Sequence, residues 1–243
     1  MINPALLKPF WLFLKGGVNL KVLSVLIILL IPTNIYAGNL DMKIKLNPAQ
    51  LKEENLATLL EKRYSCRNFQ RKILKLDDIA TILWATCGKK HDSVTGATRT
   101  IPSAGATYPL ELYLAVGENC VDKLKAGVYH YLIEEHSLQL ITEGDKRKEL
   151  ARACLAQDFI YEAPVSIVIT AKFNRATGHY GARGQRYVYV EAGHASQNTY
   201  LAVTNLGLAT CEVGAFDDEN IKRLLNFDKD CDPLIIMPIG YPK

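Results

Sequence analysis

The segment Arg63-Tyr64-Ser65-Cys66-Arg67-Asn68-Phe69 places two guanidinium groups and a hydroxyl within five residues, directly after the helix-like residues 56–62. Arginine presents planar, permanently charged donors that can bind phosphate oxygens in pairs, and serine adds a short neutral donor. The segment therefore predicts a phosphate site that needs no metal. Taken alone, it leaves a solvated basic turn open as the alternative.

The length and composition of the chain indicate one globular domain. Its 243 residues are 49% hydrophobic and 22% charged, with a formal net charge of +4 spread along the sequence. After removal of an N-terminal segment, about 200 residues remain, which is enough to bury a sizeable core. The weak and scattered charge argues against a nucleic-acid partner.

The cysteine pattern argues against a metal site. No two cysteines form a C-x-x-C pair, and no histidine stands at the spacing of a zinc ligand. An even number of cysteines permits disulfides if the chain is exported, but their spacing does not give the connectivity. The six are Cys66, Cys87, Cys120, Cys154, Cys211 and Cys231.

Residues 1–37 are typical of a signal peptide. Lys15 and Lys21 precede an apolar run of ten residues from Val22 to Ile31, and Ala37 offers a small residue for cleavage before Gly38. Ten apolar residues are too few to span a bilayer. We therefore expect an exported protein, in the periplasm or cell envelope.

A retained membrane anchor is the alternative for this segment, because residues 10–14 add a second apolar patch. No paired arginines precede the apolar run, so a twin-arginine export signal is not indicated. Beyond it we expect a polar linker over residues 38–50 and one folded domain over residues 51–243.

Hydrophobic periodicity over residues 51–243 predicts an α+β domain. The longest predicted helix, Tyr187 to Leu206, carries small residues on successive turns and is apolar nearly all round, so we expect it at the centre of the core and of a dimer. Residues 89–99 are polar and predict a loop. The other predicted helices are 56–62, one capped by Asp77 or Asp78 and stopped by Gly88, 146–157, and a short one capped by Asp217 or Asp218. The predicted strands are 110–116, 127–132, 138–142, 164–170, 208–213 and 234–239.

Two further segments combine small residues with turns. Pro102 to Pro109 contains four small residues in a row between prolines, which suits either a flat surface against a planar ligand or a tight connector. Cys211 to Phe216 gives a second bare turn at a strand end, with an ordinary strand-to-helix connection as the alternative. Neither segment identifies its ligand alone.

Nucleophile and phosphate-loop motifs are missing from the sequence. No serine or cysteine has a convincing triad, and glycines at P-loop or dinucleotide spacing are absent. Glu191 and His194 stand three residues apart and could form an acid–base pair, although a hydrogen-bonded core histidine is the more ordinary interpretation.

The ordered set of motifs resembles the nitroreductase superfamily, and more closely its SagB-type dehydrogenase branch, whose relatives are flavin oxidases that form azoles in peptide natural products. The resemblance extends from about Leu56 to Tyr241. It rests on Arg63-x-Ser65-x-Arg67-x-Phe69, Leu83-Trp84-Ala85, Pro102-Ser103-Ala104-Gly105-Ala106-x-Tyr108-Pro109, Gly127-Val128-Tyr129-His130-Tyr131, Tyr180-Gly181-x-Arg183-Gly184, Glu191-Ala192-Gly193-His194-x-x-Gln197-Asn198, Leu206-Gly207-Leu208, Val213-Gly214-Ala215-Phe216-Asp217 and Pro238-Ile239-Gly240.

This resemblance implies a central, mostly antiparallel sheet flanked by helices, and a homodimer with FMN at the subunit interface. It also implies three sets of residues that hold FMN. The first binds the phosphate and ribityl chain, the second approaches the ring from the other subunit, and the third reaches the ring with a backbone N–H. These are, in that order, Arg63, Tyr64, Ser65 and Arg67; Ser103, Ala104 and Gly105; and Val213, Gly214 and Ala215.

The resemblance further implies a hydride transfer to or from a small organic or peptide substrate, with a nicotinamide, quinone or protein as electron donor. Azole-forming relatives are expected to carry a lysine–tyrosine pair before the glycine that is Gly181 here, and this chain has His179-Tyr180 instead. Tyr180 and His179 are the candidate catalytic residues. Azoline oxidation, or a catalytically idle flavin-binding or partner-binding dimer, are the alternatives. Lys243 is the only lysine near the C-terminus that could complete the phosphate site.

Overall fold

The computed structural model describes residues 43–94 and 96–243 of the chain. Seven of its strands form one sheet in the order β1-β6-β5-β4-β7-β9-β8, and β2 and β3 form a separate hairpin. Every pair of neighbouring strands in the seven-stranded sheet is antiparallel. The strands are β1 (Lys43–Lys45), β2 (Lys89–Asp92), β3 (Gly96–Arg99), β4 (Leu110–Val116), β5 (Gly127–Leu132), β6 (Ser137–Glu143), β7 (Val165–Ala171), β8 (Ala209–Thr210) and β9 (Asp232–Gly240).

Helices cover both faces of this sheet. Because side chains alternate along a strand, Leu112 and Leu114 of β4 face one layer while Tyr113 faces the other. The first face packs against α2 and α6, and the second against α3, α4 and α7. The helices are α1 (Leu56–Lys62), α2 (Leu76–Cys87), α3 (Arg147–Ala153), α4 (Phe159–Glu162), α5 (Phe173–Tyr180), α6 (Arg183–Asn205) and α7 (Asp218–Leu225).

The centre of the sheet is apolar on both sides. All seven residues of β7 are buried, and β7 pairs with β4 on one side and β9 on the other. Its run of β-branched residues suits this position, since such side chains pack well on a pleated surface. The predicted α+β class and central antiparallel sheet are confirmed.

The long helix α6 lies across the first face of the sheet and begins four residues earlier than predicted. Gly184 allows its first turn to approach α5 closely, since a Cβ there would lie 2.6 Å from the backbone of Ala176. Its outward face is exposed at Tyr189, Val190 and Gly193. The helix is therefore buried on one side only, which corrects the expectation of apolar character nearly all round.

Several predicted boundaries are wrong for identifiable reasons. Residues 43–45, expected within a linker, form β1 at the sheet edge by pairing with β6. Residues 89–99, expected as a loop, contain the β2–β3 hairpin, which the hydrophobic pattern does not reveal because its strand β2 is largely exposed. The predicted helix 146–157 ends at Ala153, because Leu155 and Ala156 both adopt left-handed φ angles of 57°.

Helix α2 differs from its prediction at its start. Lys75 occupies the N-cap position, so Asp77 and Asp78 lie in the first turn instead of capping it. Carboxylates in a first turn still interact favourably with the helix dipole. The short helix α7 is capped as expected, with Asp217 accepting a hydrogen bond from the Asn220 amide at 2.9 Å.

The predicted targeting segment, residues 1–37, lies outside the described residues. Within residues 43–94 and 96–243, no helix combines the length and apolarity needed to cross a membrane. All six cysteines are free thiols, and five of them are buried.

Candidate functional site

The basic segment runs along the outer edge of the sheet beside β8. Ser65 forms a parallel bridge with Thr210, and the Cys66 amide donates to the Thr210 carbonyl at 2.8 Å. A buried side chain anchors the segment, since Phe69 is fully buried against Cys66 and Ala163. The predicted phosphate-binding residues are thus held on a rigid strand edge.

A buried tyrosine of α6 links this segment to the chain beyond β8. The Tyr200 hydroxyl lies 3.0 Å from the Ser65 hydroxyl and accepts a hydrogen bond from the Glu212 amide at 2.8 Å. The Arg63 guanidinium lies over the Tyr200 ring, 5.1 Å from its centroid. Tyr200 therefore joins the first and third predicted cofactor segments into one group.

The two arginines of the segment keep their charges available. Among the described residues, neither Arg63 nor Arg67 forms an ion pair with an acidic side chain. Arg67 is exposed and its guanidinium lies 5.9 Å from the centroid of the Phe159 ring. Burial raises the pKa of the Cys211 thiol, and the nearby charge of Arg67 opposes that shift. Such a cluster can bind a dianionic phosphate.

Tyr64 and Lys243 border this group. Tyr64 is half-exposed, and partial burial together with the neighbouring Cys66 raises the pKa of its hydroxyl. The Lys243 amide donates to the Asn68 carbonyl at 3.1 Å, while its ammonium lies 3.9 Å from the Glu162 carboxylate. Lys243 therefore reaches the basic segment through its backbone, with its charge directed to Glu162.

The third segment offers backbone donors at the surface. The Val213 amide and carbonyl both pair with Ile236 at 2.9 Å, which fixes this residue to β9. Gly214 and Ala215 are exposed, and within the described part of the chain their amides donate to no backbone carbonyl. The segment can therefore present two N–H groups to a bound ligand, but the Val213 amide is already used.

The second segment forms a tight turn. Residues Ala104–Ala106 make a single 3-10 turn, with Gly105 at φ 57°, and the Ser103 hydroxyl accepts the Tyr108 amide at 2.9 Å. A Cβ at Gly105 would lie 2.4 Å from the Tyr180 hydroxyl. Only glycine fits this place, because the neighbouring phenol occupies the space of a side chain.

The candidate catalytic residues lie beside this turn. His179 and Tyr180 end α5, and their rings pack edge to face with centroids 4.4 Å apart. Tyr187 contacts Tyr180 in the same way at 5.0 Å. The structure thus brings the predicted catalytic tyrosine against the predicted ring-binding glycine, while His179 is exposed.

The basic segment and the Ala104–Ala106 turn lie beside different parts of α6. The turn is next to Glu191, whereas Tyr200 contacts the basic segment. Nine residues separate these positions, which corresponds to about 14 Å along an α-helix. The predicted cofactor residues of one chain therefore form two separate groups.

The suggested acid–base pair of Glu191 and His194 is wrong, and so is the core histidine alternative. Glu191 is buried, whereas His194 is exposed. Burial raises the pKa of Glu191 to about 7, opposed by the Ser103 hydroxyl and the charge of Arg99. Sequence reasoning missed both Glu191 as a neighbour of Ser103 and Tyr200 as a hydrogen-bond partner of Ser65.

The sequence of this chain is similar to those of known proteins. Residues 60–241 match the sequence model of the nitroreductase family. The chain is 42% identical over 190 residues to a candidate nitroreductase of Methanocaldococcus jannaschii, covering 78% of this chain and 92% of that protein. It is 28% identical to the microcin B17-processing protein McbC of Escherichia coli, covering 58% and 54% of the two chains.

Solved structures give the same result. A nitroreductase-type structure from Anabaena variabilis has a TM-score of 0.73 at 28% identity, with 84% of this chain and 42% of that chain covered. The Escherichia coli microcin synthetase McbBCD complex, with truncated pro-MccB17 bound, contains a chain with a TM-score of 0.66 at 25% identity, with 82% and 78% covered. These similarities confirm the expected fold and the expected SagB-type branch.

Proposed function

The chain belongs to the nitroreductase family, and from this we propose that it is an FMN-dependent oxidoreductase acting on a small organic or peptide substrate. The observation that carries the proposal is the group formed by Arg63, Ser65 and Arg67. Its two guanidinium groups have no acidic partner among the described residues, and Tyr200 couples it to the Glu212 amide, two residues before the exposed Gly214 and Ala215. These residues fit a ligand with one phosphate and a ring that accepts N–H donors.

In this proposal Arg63, Ser65 and Arg67 hold the phosphate and ribityl chain, and Tyr64 contributes backbone contacts. Gly214 and Ala215 direct their amides to the edge of the ring, with Val213 fixing the segment to β9. Bound FMN would supply the hydride chemistry, and the protein would orient it and shape access to it. A backbone donor at the ring edge favours the reduced cofactor by stabilising its added electron density.

We also propose that the functional unit is a homodimer. The turn Ser103–Gly105 lies about 14 Å along α6 from Tyr200, so the turn of a second copy is the better candidate to complete each site. The exposed face of α6 supports such a contact, since Val190 is half-exposed and Gly193 has open space around it. Small residues allow two helices to approach closely.

Tyr180 is proposed as the proton donor or acceptor for the substrate. Its hydroxyl lies against Gly105, next to the segment assigned to the ring. Azoline oxidation in peptide maturation is the second candidate, and the similarity to McbC and to the McbBCD complex with bound pro-MccB17 supports a peptide substrate. The exposed His179 stands where those relatives are expected to carry lysine, so a small organic substrate or a modified peptide is favoured over azoline oxidation.

An absorbance spectrum of the purified protein, followed by anaerobic titration, tests the proposal. We expect a bound flavin released as FMN, and bleaching of its visible absorbance by NADH, NADPH or a quinol. A flavin that binds but is reduced by none of these donors would indicate the idle dimer instead. Purified protein that takes up no added FMN would overturn the proposal.

A further inference from the structure

Helix α5 is bonded to the residues that follow the Ala104–Ala106 turn. The amide of its N-cap residue, Lys172, donates to the Pro109 carbonyl at 2.8 Å. Three residues later, the Nη1 atom of Arg175 donates to the Tyr108 carbonyl, also at 2.8 Å. One of these bonds joins backbone to backbone, whereas the other depends on a single charged side chain.

The far end of α5 carries the candidate catalytic tyrosine. The Tyr180 hydroxyl lies beside Gly105, where a Cβ on that glycine would be 2.4 Å from it. Five residues, or about 7.5 Å along an α-helix, separate Tyr180 from Arg175. Because a helix is stiff over so short a distance, a contact that fixes Arg175 also fixes the Tyr180 hydroxyl relative to the turn.

The Arg175 guanidinium also bonds to the central sheet. Its Nη2 atom lies 2.6 Å from Oε1 of Glu111, near the start of β4. Two other strands hold Glu111 in turn, since its Oε2 atom lies 3.0 Å from Nε2 of His130 on β5 and its carbonyl accepts from the Thr170 hydroxyl on β7 at 3.2 Å. One planar guanidinium therefore forms a bridge between α5, the end of the turn and the sheet.

The charges in this bridge favour geometry over stability. The Glu111 side chain is only 13% exposed; burial acts to raise its pKa, but the His130 hydrogen bond and the charge of Arg175 outweigh burial and lower it. Arg175 is 38% exposed, and ion pairs that reach solvent contribute little to stability. A rigid guanidinium that binds two acceptors at once nevertheless fixes their relative positions.

The turn needs such support because two of its residues adopt unfavourable conformations. Ala106 and Tyr108 have φ angles of 52° and 44°, in the left-handed region that disfavours residues with a Cβ. The Tyr108 amide donates to the Ser103 hydroxyl at 2.9 Å, and its ring lies 5.0 Å from the Arg99 guanidinium. Among these contacts, the bond from Arg175 is the one that comes from α5.

We propose that Arg175 is a positioning residue: its bond to the Tyr108 carbonyl sets the place of the Tyr180 hydroxyl against the turn that faces the ring. The role toward the ring rests on the proposed function, whereas the bridge between α5 and the turn belongs to this chain alone. The inference also gives a use to Glu111 and His130, which the proposed function leaves without a role.

Amide hydrogen exchange of the flavin-free protein, measured by NMR, tests the bridge directly. Arg175→Ala should speed exchange of the Tyr108 and Lys172 amides roughly tenfold, as loss of one charge-assisted hydrogen bond would. Arg175→Lys keeps a charged donor that can reach the same carbonyl, so its exchange should stay within about threefold of the wild type. Arg152→Ala is the matched control, because Arg152 is also an exposed helical arginine and takes part in none of the ion pairs of the described chain.

The position of Tyr180 has a readout of its own in the same spectra. Cross-relaxation between the Tyr180 ring protons and the Gly105 α protons should be strong in the wild type and in Arg152→Ala, and at least twofold weaker in Arg175→Ala. Amides of the central strand β7 should exchange at the same rate in all variants. Unchanged cross-relaxation in Arg175→Ala would overturn the inference, as would faster exchange throughout β7 or a lysine variant that behaves like the alanine variant.

Titration with FMN and with riboflavin links the bridge to the proposed function. The turn faces the ring, which both flavins share, so Arg175→Ala should weaken both about tenfold and leave the ratio of their affinities unchanged. A changed ratio would overturn the role toward the ring. If the wild type takes up no flavin but the exchange pattern is as expected, the proposed function fails and the bridge stands. If flavin binds and the exchange pattern is absent, the positioning role fails alone.

Discussion

The hydroxyls of Ser65 and Tyr200 lie 3.0 Å apart, although 135 residues separate them in sequence. Tyr200 is buried in the long helix, and its hydroxyl also accepts the Glu212 amide. One side chain thus connects the basic segment at the sheet edge to the segment that follows β8. This connection sets the distance between the proposed phosphate donors and the proposed ring donors.

Removal of that hydroxyl should weaken both the fold and the site. Tyr200→Phe leaves the Glu212 amide, whose bond to Tyr200 is partly buried, without its acceptor, so we expect a loss of about 1 kcal/mol in the free energy of unfolding. FMN affinity should fall as well, since Ser65 loses its partner. Tyr161→Phe, on α4 and 41% exposed, is the control and should change neither quantity in urea denaturation or FMN titration.

The pKa of Glu191 gives the protein a defined pH dependence. Burial raises this pKa from its ordinary value of 4.5 to about 7, so between these values the unfolded chain ionises while the folded chain holds its proton. The free energy of unfolding should therefore fall as pH rises from 4.5 to 7 and then level off. Glu191→Gln should remove this decline, which amounts to at most about 3 kcal/mol.

Urea denaturation at pH 5 and pH 8 measures this difference. The glutamine variant should gain stability relative to the wild type at pH 8 and show the smallest difference at pH 5. Glu61→Gln, at an exposed position on α1, should show the same pH dependence of the free energy of unfolding as the wild type. A wild type and Glu191→Gln that differ by the same amount at both pH values would contradict the prediction.

Substitution of Gly193 tests whether the protein is a dimer or a monomer. A side chain at this exposed position meets nothing within 4 Å in a single chain, and replacing glycine in a helix normally stabilises it by up to about 1 kcal/mol. In a homodimer packed through α6, Gly193→Leu should instead overpack the contact and cost roughly 1–3 kcal/mol or more. Sedimentation velocity should show the leucine variant dissociating, with Gly193→Ala less affected; a flavin-loaded wild-type monomer would refute the dimer.

Export of the chain would require cofactor loading after translocation. The predicted signal core lacks paired arginines, and the general secretory route moves unfolded chains, which have no FMN site to carry across. We therefore expect flavin uptake outside the cytoplasm and an electron donor such as a quinone or protein. Sequencing of the mature N-terminus should find Gly38, or Met1 in the membrane fraction if the segment anchors the protein. Recovery of soluble cytoplasmic protein that keeps residues 1–37 would exclude both.

Sequence patterns predicted the parts of the fold that burial dictates. The β7 strand and the 127–143 hairpin appear almost where periodicity placed them, because a buried position excludes polar residues. The β2–β3 hairpin was missed since exposed strands carry no such pattern. Local φ angles also escaped prediction, as at Leu155, where a helix ends without glycine or proline.

The site was predicted where its chemistry is concentrated in sequence and missed where it depends on packing. The Arg63–Arg67 cluster is visible because charge density marks it. Tyr200 stands in an apolar helical pattern, and only the tertiary fold shows that its hydroxyl meets Ser65. The orientation of α6 likewise decides that Glu191 is buried and His194 exposed, which a three-residue spacing cannot show.

Comparison of FMN, riboflavin and FAD binding by fluorescence titration tests the central claim most directly. Riboflavin lacks the phosphate, so FMN should bind roughly tenfold to a hundredfold more tightly, the value of one charge-assisted contact of 1.5–3 kcal/mol. FAD should bind more weakly than FMN. Arg63→Ala should weaken FMN binding more than riboflavin binding and so reduce the difference between them, whereas Arg71→Ala, a nearby arginine outside the site, should preserve it. Equal affinities for FMN and riboflavin in the wild type, or no flavin binding at all, would contradict the account.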